Sequence, residues 1–170
     1  FIVIVPTGFV IVFGDFFGGG VFVRMCKNLH GVFTIPFAIV VIPMFLIWVK
    51  EAIFNMDDVK WMMIVGGYLS KEKKPIPAGK FNAGQKMWYW IATLGGMVMV
   101  IAGAAMFFLD FNIEMIKSMT GLSQIDLLRV MAILHNVVGF LVVALFITNV
   151  YMSMFAIKGA VHSILNGHME

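Results

Sequence analysis

Apolar positions in this chain are not spaced two, three or four apart, as on the inner face of a water-exposed strand or helix. They fill long runs, residues 1–14, 31–49, 87–109 and 127–156, with short polar stretches between them. A helix rising ~1.5 Å per residue needs about 20 residues to cross roughly 30 Å of hydrocarbon, and the last three runs reach that length or come close. The first is shorter and begins in mid-run at Phe1, so it is expected to continue a helix whose start lies upstream. The pattern predicts an all-α, integral membrane four-helix bundle forming a single domain. Its crossings are expected at about 1–14 (partial), 30–50, 86–109 and 125–156, followed by a cytoplasmic tail, 157–170.

The polar stretches carry their own signals. "DFFGGGVFVRMCKNLHG" has too many glycines for a regular helix interior and reads as a connection that leaves His30 at the outer end of the second crossing. Pro36 and Pro43 lie inside that crossing, which membrane helices tolerate when neighbours satisfy the freed carbonyls, and they predict a bend. In the segment from 50 to 86, an apolar patch at 61–69 with acids before it and lysines after it predicts a short interfacial amphipathic helix, then a Pro/Gly-rich turn. "MWYW" opens the third crossing with aromatics suited to the headgroup level. Ala92, Gly96 and Gly103 follow as small residues on a packing face, the same residues that would admit a bulky planar cofactor. Ser123, with Asp126 three residues on, is expected to cap the fourth helix.

Composition and charge sharpen this picture. The chain is 61% hydrophobic and 12% charged, too apolar for an ordinary soluble domain. With four crossings, eight Lys residues fall on the side of the 50–86 loop and the tail, against four Lys and Arg on the other, so that loop and both termini are expected to be cytoplasmic. The formal charge of +3 is therefore a topology signal and not a nucleic-acid footprint. A single cysteine, Cys26, excludes an internal disulfide framework and a cysteine-ligated cluster built from this chain alone. Any iron–sulfur centre belongs to a partner.

Two histidines, His30 and His135, sit within the expected crossings. Ionisable groups there are costly and mark functional candidates. The bland alternative for each is a neutral imidazole hydrogen-bonded to a neighbouring helix. In the four-crossing topology the second and fourth helices start on the same side, so His30 and His135 can reach comparable depth, as the axial ligands of a six-coordinate haem require. Asn149 follows His135 by fourteen residues. That is about 3.9 turns, which returns it to nearly the same face roughly 21 Å along the helix. A zinc site would need a third or fourth nitrogen or thiolate ligand nearby. His162 and His168 lie in the tail and read as solvated.

The histidine pair, the run "KFNAGQKMWYW" entering the third crossing and the tail "YMSMFAIKGAVHSILNGH" together resemble the membrane cytochrome b subunit of respiratory formate dehydrogenase. The resemblance covers about residues 24–167, and residues 80–86 are its specific part. It implies a membrane anchor of the bacterial cytoplasmic (inner) membrane. Such a subunit takes electrons from an iron–sulfur subunit, beside a molybdenum or tungsten catalytic subunit, and passes them through haem b to menaquinone. By resemblance His30 and His135 match the axial ligands of the outer haem, and Asn82, Gly84 and Gln85 match the loop bordering the quinone pocket and inner haem. Arg24 and Lys27 could dock the partner or balance haem propionates, or simply flank a membrane helix. Asn82 reads equally well as a helix cap. The chain departs from the family at Asn149, where a histidine ligand of the inner haem is expected. An amide is a poor iron ligand, so Asn149 marks a lost or altered haem site or a quinone contact. At least one haem b is expected, and the second is in question.

Formate oxidation itself is not expected from this chain. The same scaffold serves hydrogenase and thiosulfate or polysulfide reductase complexes, and a haem-free structural anchor would also use these helices. A transporter would need paired intramembrane carboxylates or an inverted repeat. Assembly into a higher oligomer of the whole complex is a further implication of the resemblance.

Overall fold

The computed structural model describes residues 1–64, 80–108, 117–119 and 121–156, and among these the regular structure is helical throughout. Five helices organise them: α1 (Ile4–Val12), α2 (Gly20–Trp48), α3 (Met56–Met63), α4 (Ala83–Phe108) and α5 (Gln124–Tyr151), the last running into a π-type turn at Met152–Ala156. Three of them, α2, α4 and α5, are long and apolar enough to cross a membrane. Their outward residues fit that solvent: Ile35, Ile39 and Leu46 on α2 and Ile133, Val137 and Ile147 on α5 are each more than 60% exposed. In water such surfaces would be driven together; facing lipid chains they cost nothing.

The chain resolves into two compact units, Phe1–Trp48 and Val49–Glu170. In the first, α1 and α2 pack as an antiparallel pair. Phe1 meets Phe37 edge-on, with ring centroids 6.0 Å apart, and Gly8 and Gly14 lie against His30 and Val23. The reversal is tighter than the sequence suggests. Gly18, Gly19 and Gly20 have φ of 84°, 60° and 59°, the left-handed region that glycine enters without strain. The three together complete the turn. Nothing in the "VFVRMCKNL" that follows then breaks a helix, so residues 21–29 are the opening turns of α2 and not a connection, and His30 sits about three turns inside. Pro36 and Pro43 lie within α2 without ending it.

The second unit rests on α4 against α5. Its register is antiparallel: Gly95 opposes Val142, Met99 opposes Gly139 and Gly103 opposes His135. A glycine on one helix thus receives a larger side chain from the other at three successive levels, the close approach that small residues permit in membranes. Gly103 belongs to the expected small face; the closest contact falls at Gly95, next to the expected Gly96. Ser123 caps α5 as predicted, its Oγ accepting the Asp126 backbone N–H at 3.3 Å.

Helix α3 begins earlier than the 61–69 patch suggests. Asn55 accepts the backbone N–H groups of Asp57 and Asp58, each at 3.0 Å, while Asp58 accepts that of Asn55 at 2.7 Å. This reciprocal box starts the helix on the acids that precede the patch. The remainder of that patch, the Pro/Gly-rich turn and the tail with His162 and His168 lie outside the described residues.

Candidate functional site

His30 is held from α1. Its Nδ1 lies 3.0 Å from the Ile4 carbonyl and 3.2 Å from Thr7 Oγ1. A carbonyl oxygen can only accept, so Nδ1 carries a proton and donates it. Thr7, which is buried, gives its own hydroxyl proton to the Val3 carbonyl at 2.7 Å and presents a lone pair to the imidazole. With the proton fixed on Nδ1, the ring's basic lone pair is on Nε2. Beside the ring is Gly8, where an added Cβ would come within 3.3 Å of His30 Cε1.

His135 on α5 has a matching neighbour. A Cβ on Gly103 would lie 3.3 Å from its Cε1 and 3.6 Å from its Nδ1, the same separations as between Gly8 and His30. Its Nδ1 is fully buried. Each of the two units therefore seats one half-buried imidazole against a glycine of the adjacent helix.

Asn149 lies fourteen residues further along α5, half-buried, and its carbonyl accepts the Met152 N–H at the start of the π-type turn.

Asn82 and Gln85 form a second reciprocal box at the start of α4: Asn82 N–H donates to Gln85 Oε1 at 3.0 Å and Gln85 N–H to Asn82 Oδ1 at 2.9 Å. Capping and hydrogen bonding to a ligand are thus compatible. The box consumes one oxygen from each side chain, and both amide NH₂ groups keep their donor capacity. Gly84, between them, has a structural reason to be glycine: a Cβ there would meet the Trp61 ring at 3.0 Å.

The groups that hold this turn in place are not apparent from the sequence. Lys86, which the sequence offers as a topology charge and as the end of the 80–86 motif, has a buried side chain. Its Nζ contacts Asp58 Oδ2 at 2.6 Å and donates to the Ile53 carbonyl at 3.0 Å. Trp90 Nε1 donates to the Ala52 carbonyl at 2.9 Å, and Lys80 pairs with Glu51 at 3.5 Å. Burial alone would raise the Asp58 carboxyl. The hydrogen bonds from Lys86 and Asn55, with the ammonium charge, outweigh it and hold the group below the ordinary carboxylate value. The spacing Asn55-x-x-Asp58 was the available signal for α3; nothing in the sequence marked Trp61 as the partner of Gly84.

Arg24 and Lys27 are exposed on α2, and Arg24 lines with Asp15 an open cleft beside the α1–α2 turn. Cys26 is buried as a free thiol.

Comparison with known proteins adds the identity of the fold family. Residues 1–167 match the family of prokaryotic cytochrome b561. The chain belongs to that family. Among relatives, it is 25% identical over 151 residues to the cytochrome b556(Fdn) subunit of nitrate-inducible formate dehydrogenase from Escherichia coli (strain K12), covering 86% of this chain and 64% of the relative. It is also 25% identical over 112 residues to the formate dehydrogenase cytochrome b556 subunit of Haemophilus influenzae, covering 65% and 43%. These are the proteins that "KFNAGQKMWYW" and the tail suggested. The chain spans less than two thirds of their length.

Membership in the prokaryotic cytochrome b561 family implies haem b, and α2, α4 and α5 are long and apolar enough to carry it in a membrane. The two histidine settings fit that group. An axial imidazole needs a fixed tautomer with the lone pair on the ligating nitrogen, and it needs a second group to fix ring orientation. His30 has both in its Nδ1 bonds and the Gly8 notch. At His135, Gly103 leaves room beside the ring that any larger residue would fill.

Proposed function

We propose that the chain is the membrane-anchoring cytochrome b subunit of a formate dehydrogenase-like respiratory complex in a bacterial cytoplasmic membrane. In this reading His30 and His135 are the axial ligands of a b haem. An iron–sulfur subunit supplies electrons from a molybdenum or tungsten catalytic subunit, and menaquinone is the acceptor. Haem b, when bound, supplies the one-electron couple between donor and quinone.

The observation that carries the reading is the anchored imidazole of His30, whose Nδ1–H is directed to the Ile4 carbonyl at 3.0 Å. That bond leaves the lone pair on Nε2, the nitrogen that would meet a haem iron, and makes it more basic. His135 in its glycine notch is the second ligand. At the other functional end, the amide nitrogens of Asn82 and Gln85 are the donors offered to a quinone carbonyl, and Gly84 admits Trp61 beside them. Asn149 replaces an expected histidine, so the chain carries one haem, and the Asn149 amide is a further donor for the quinone.

A haem-free anchor has one observation in its favour, since the His30 bond to α1 is also what an interhelical structural histidine would make. The two readings separate in purified complex, by pyridine haemochrome and a reduced-minus-oxidised spectrum. One b haem per copy, lost in His30→Ala and in His135→Ala, supports the proposal. Two haems would return a second site with ligands outside these residues, and none would leave both histidines structural.

A further inference from the structure

Helix α1 presents three groups to His30 at one level. The Ile4 carbonyl and Thr7 Oγ1 converge on Nδ1 at 3.0 and 3.2 Å, and Gly8 lies beside Cε1. Thr7 is the acceptor in its contact with the ring, since its own proton goes to the Val3 carbonyl at 2.7 Å. The usual back-bonding of a helical threonine thereby turns its oxygen into a fixed acceptor. Gly8 follows Thr7 directly and faces the same ring, where a methyl group would have to displace the imidazole by a few tenths of an ångström. Two acceptors and a notch thus fix both the proton position and the rotation of one ring.

We infer that Thr7 and Gly8 are positioning residues for His30, setting the basicity and plane of the imidazole that the proposed haem receives. The inference rests on His30 being an axial ligand. Its chemical consequence follows from the hydrogen bonds. An Nδ1–H shared with two acceptors gives the ring imidazolate character, which favours the ferric over the ferrous state and lowers the midpoint potential. Removing one acceptor raises it. Tilting the ring changes the angle between ligand planes, which the low-spin ferric EPR signal reports directly.

The experiment uses the full-length protein in its assembled complex, with Thr7→Val, Thr7→Ser, Gly8→Ala and His30→Ala compared by haem content, redox titration and EPR. Thr7→Val is close to isosteric and is expected to retain haem with a raised midpoint potential and a shifted ferric signal. Thr7→Ser, which keeps the hydroxyl, returns both to the wild-type position. Gly8→Ala is expected to shift the ferric signal or lose haem; if it does not assemble, Thr7→Val decides. Wild-type potential and EPR in Thr7→Val overturn the positioning role while loss of haem in His30→Ala leaves ligation standing. Wild-type haem content and spectrum in His30→Ala overturn ligation, and the positioning role with it.

Discussion

Lys86 and Asp58 meet at 2.6 Å with side chains only 5% and 7% exposed, and so join the short helix α3 to the first turn of α4. Neither charge is left with the other alone. Lys86 also donates to the Ile53 carbonyl, and Asp58 also accepts the Asn55 N–H. The Asn82–Gln85 turn immediately precedes Lys86, so the ion pair fixes the ground on which the proposed quinone donors stand. Buried pairs give little net stability compared with apolar substitutes, but they are costly to break singly, because the surviving charge keeps its desolvation penalty.

Removing one partner is therefore the sharper test. Lys86→Met strands the Asp58 carboxylate and is expected to destabilise the protein by about 3–5 kcal/mol. Adding Asp58→Asn in the same chain should recover part of that loss. Unfolding of the detergent-solubilised protein by denaturant, run as a double-mutant cycle, measures it. Equal and additive losses would show that the contact carries no coupling.

The pair also has a definite pH signature. The Asp58 carboxyl is held below its ordinary value of about 4. A depressed acid contributes stability in full above the unfolded value and loses it as pH falls through the folded value. The stability advantage of wild type over Asp58→Asn is thus expected to be constant from pH 5 to 8 and to shrink in acid, below about 4. Melting temperatures across that range test this; an advantage that grew in acid would contradict the assignment.

What could be read from the sequence followed from how local each signal is. The cap of α5 needs only Ser123 and Asp126, three residues apart, and the three long helices need only run length. The start of α2 was harder because three glycines in one place make a single sharp turn, whereas a composition count spreads their effect over the neighbouring residues. At α3 the acids of Asn55–Asp58 looked like a flank when they were the cap. The least legible features join residues distant in sequence. Thr7 and Gly8 gain meaning only from the antiparallel register of α1 and α2, and Lys86 looks like any lysine flanking a membrane helix until Asp58 is beside it. The residue types at the site were visible; their partners were set by packing.

The α4–α5 register predicts a paired substitution. A Cβ at Gly95 would lie 2.7 Å from Val142 Cγ2, too close without movement, and Val142 is itself buried at 5% exposure. Gly95→Ala is expected to destabilise the helix pair by about 1–3 kcal/mol, the range for overpacking. Val142→Ala in the same chain opens the space and should relieve much of it. Comparable losses in the single and double variants, measured by denaturant unfolding, would place the crossing elsewhere.

The Asn82–Gln85 box allows helix capping and quinone binding to be separated, because each role uses a different atom of the same side chain. Asn82→Asp and Gln85→Glu keep the accepting oxygens, so the box closes as before, with negative charge suiting a helix N-terminus. Both variants remove the NH₂ donor. Stability should change by only a few tenths of a kcal/mol, while Asn82→Ala, which removes the cap as well, should cost ~1 kcal/mol. Quinone reduction by the intact complex should respond differently. Both acids should raise the KM for a menaquinone analogue several-fold, roughly the loss of one hydrogen bond of about 1 kcal/mol. If the acids leave KM unchanged and only Asn82→Ala is impaired, the turn is a cap alone, and the quinone donors lie elsewhere in the chain.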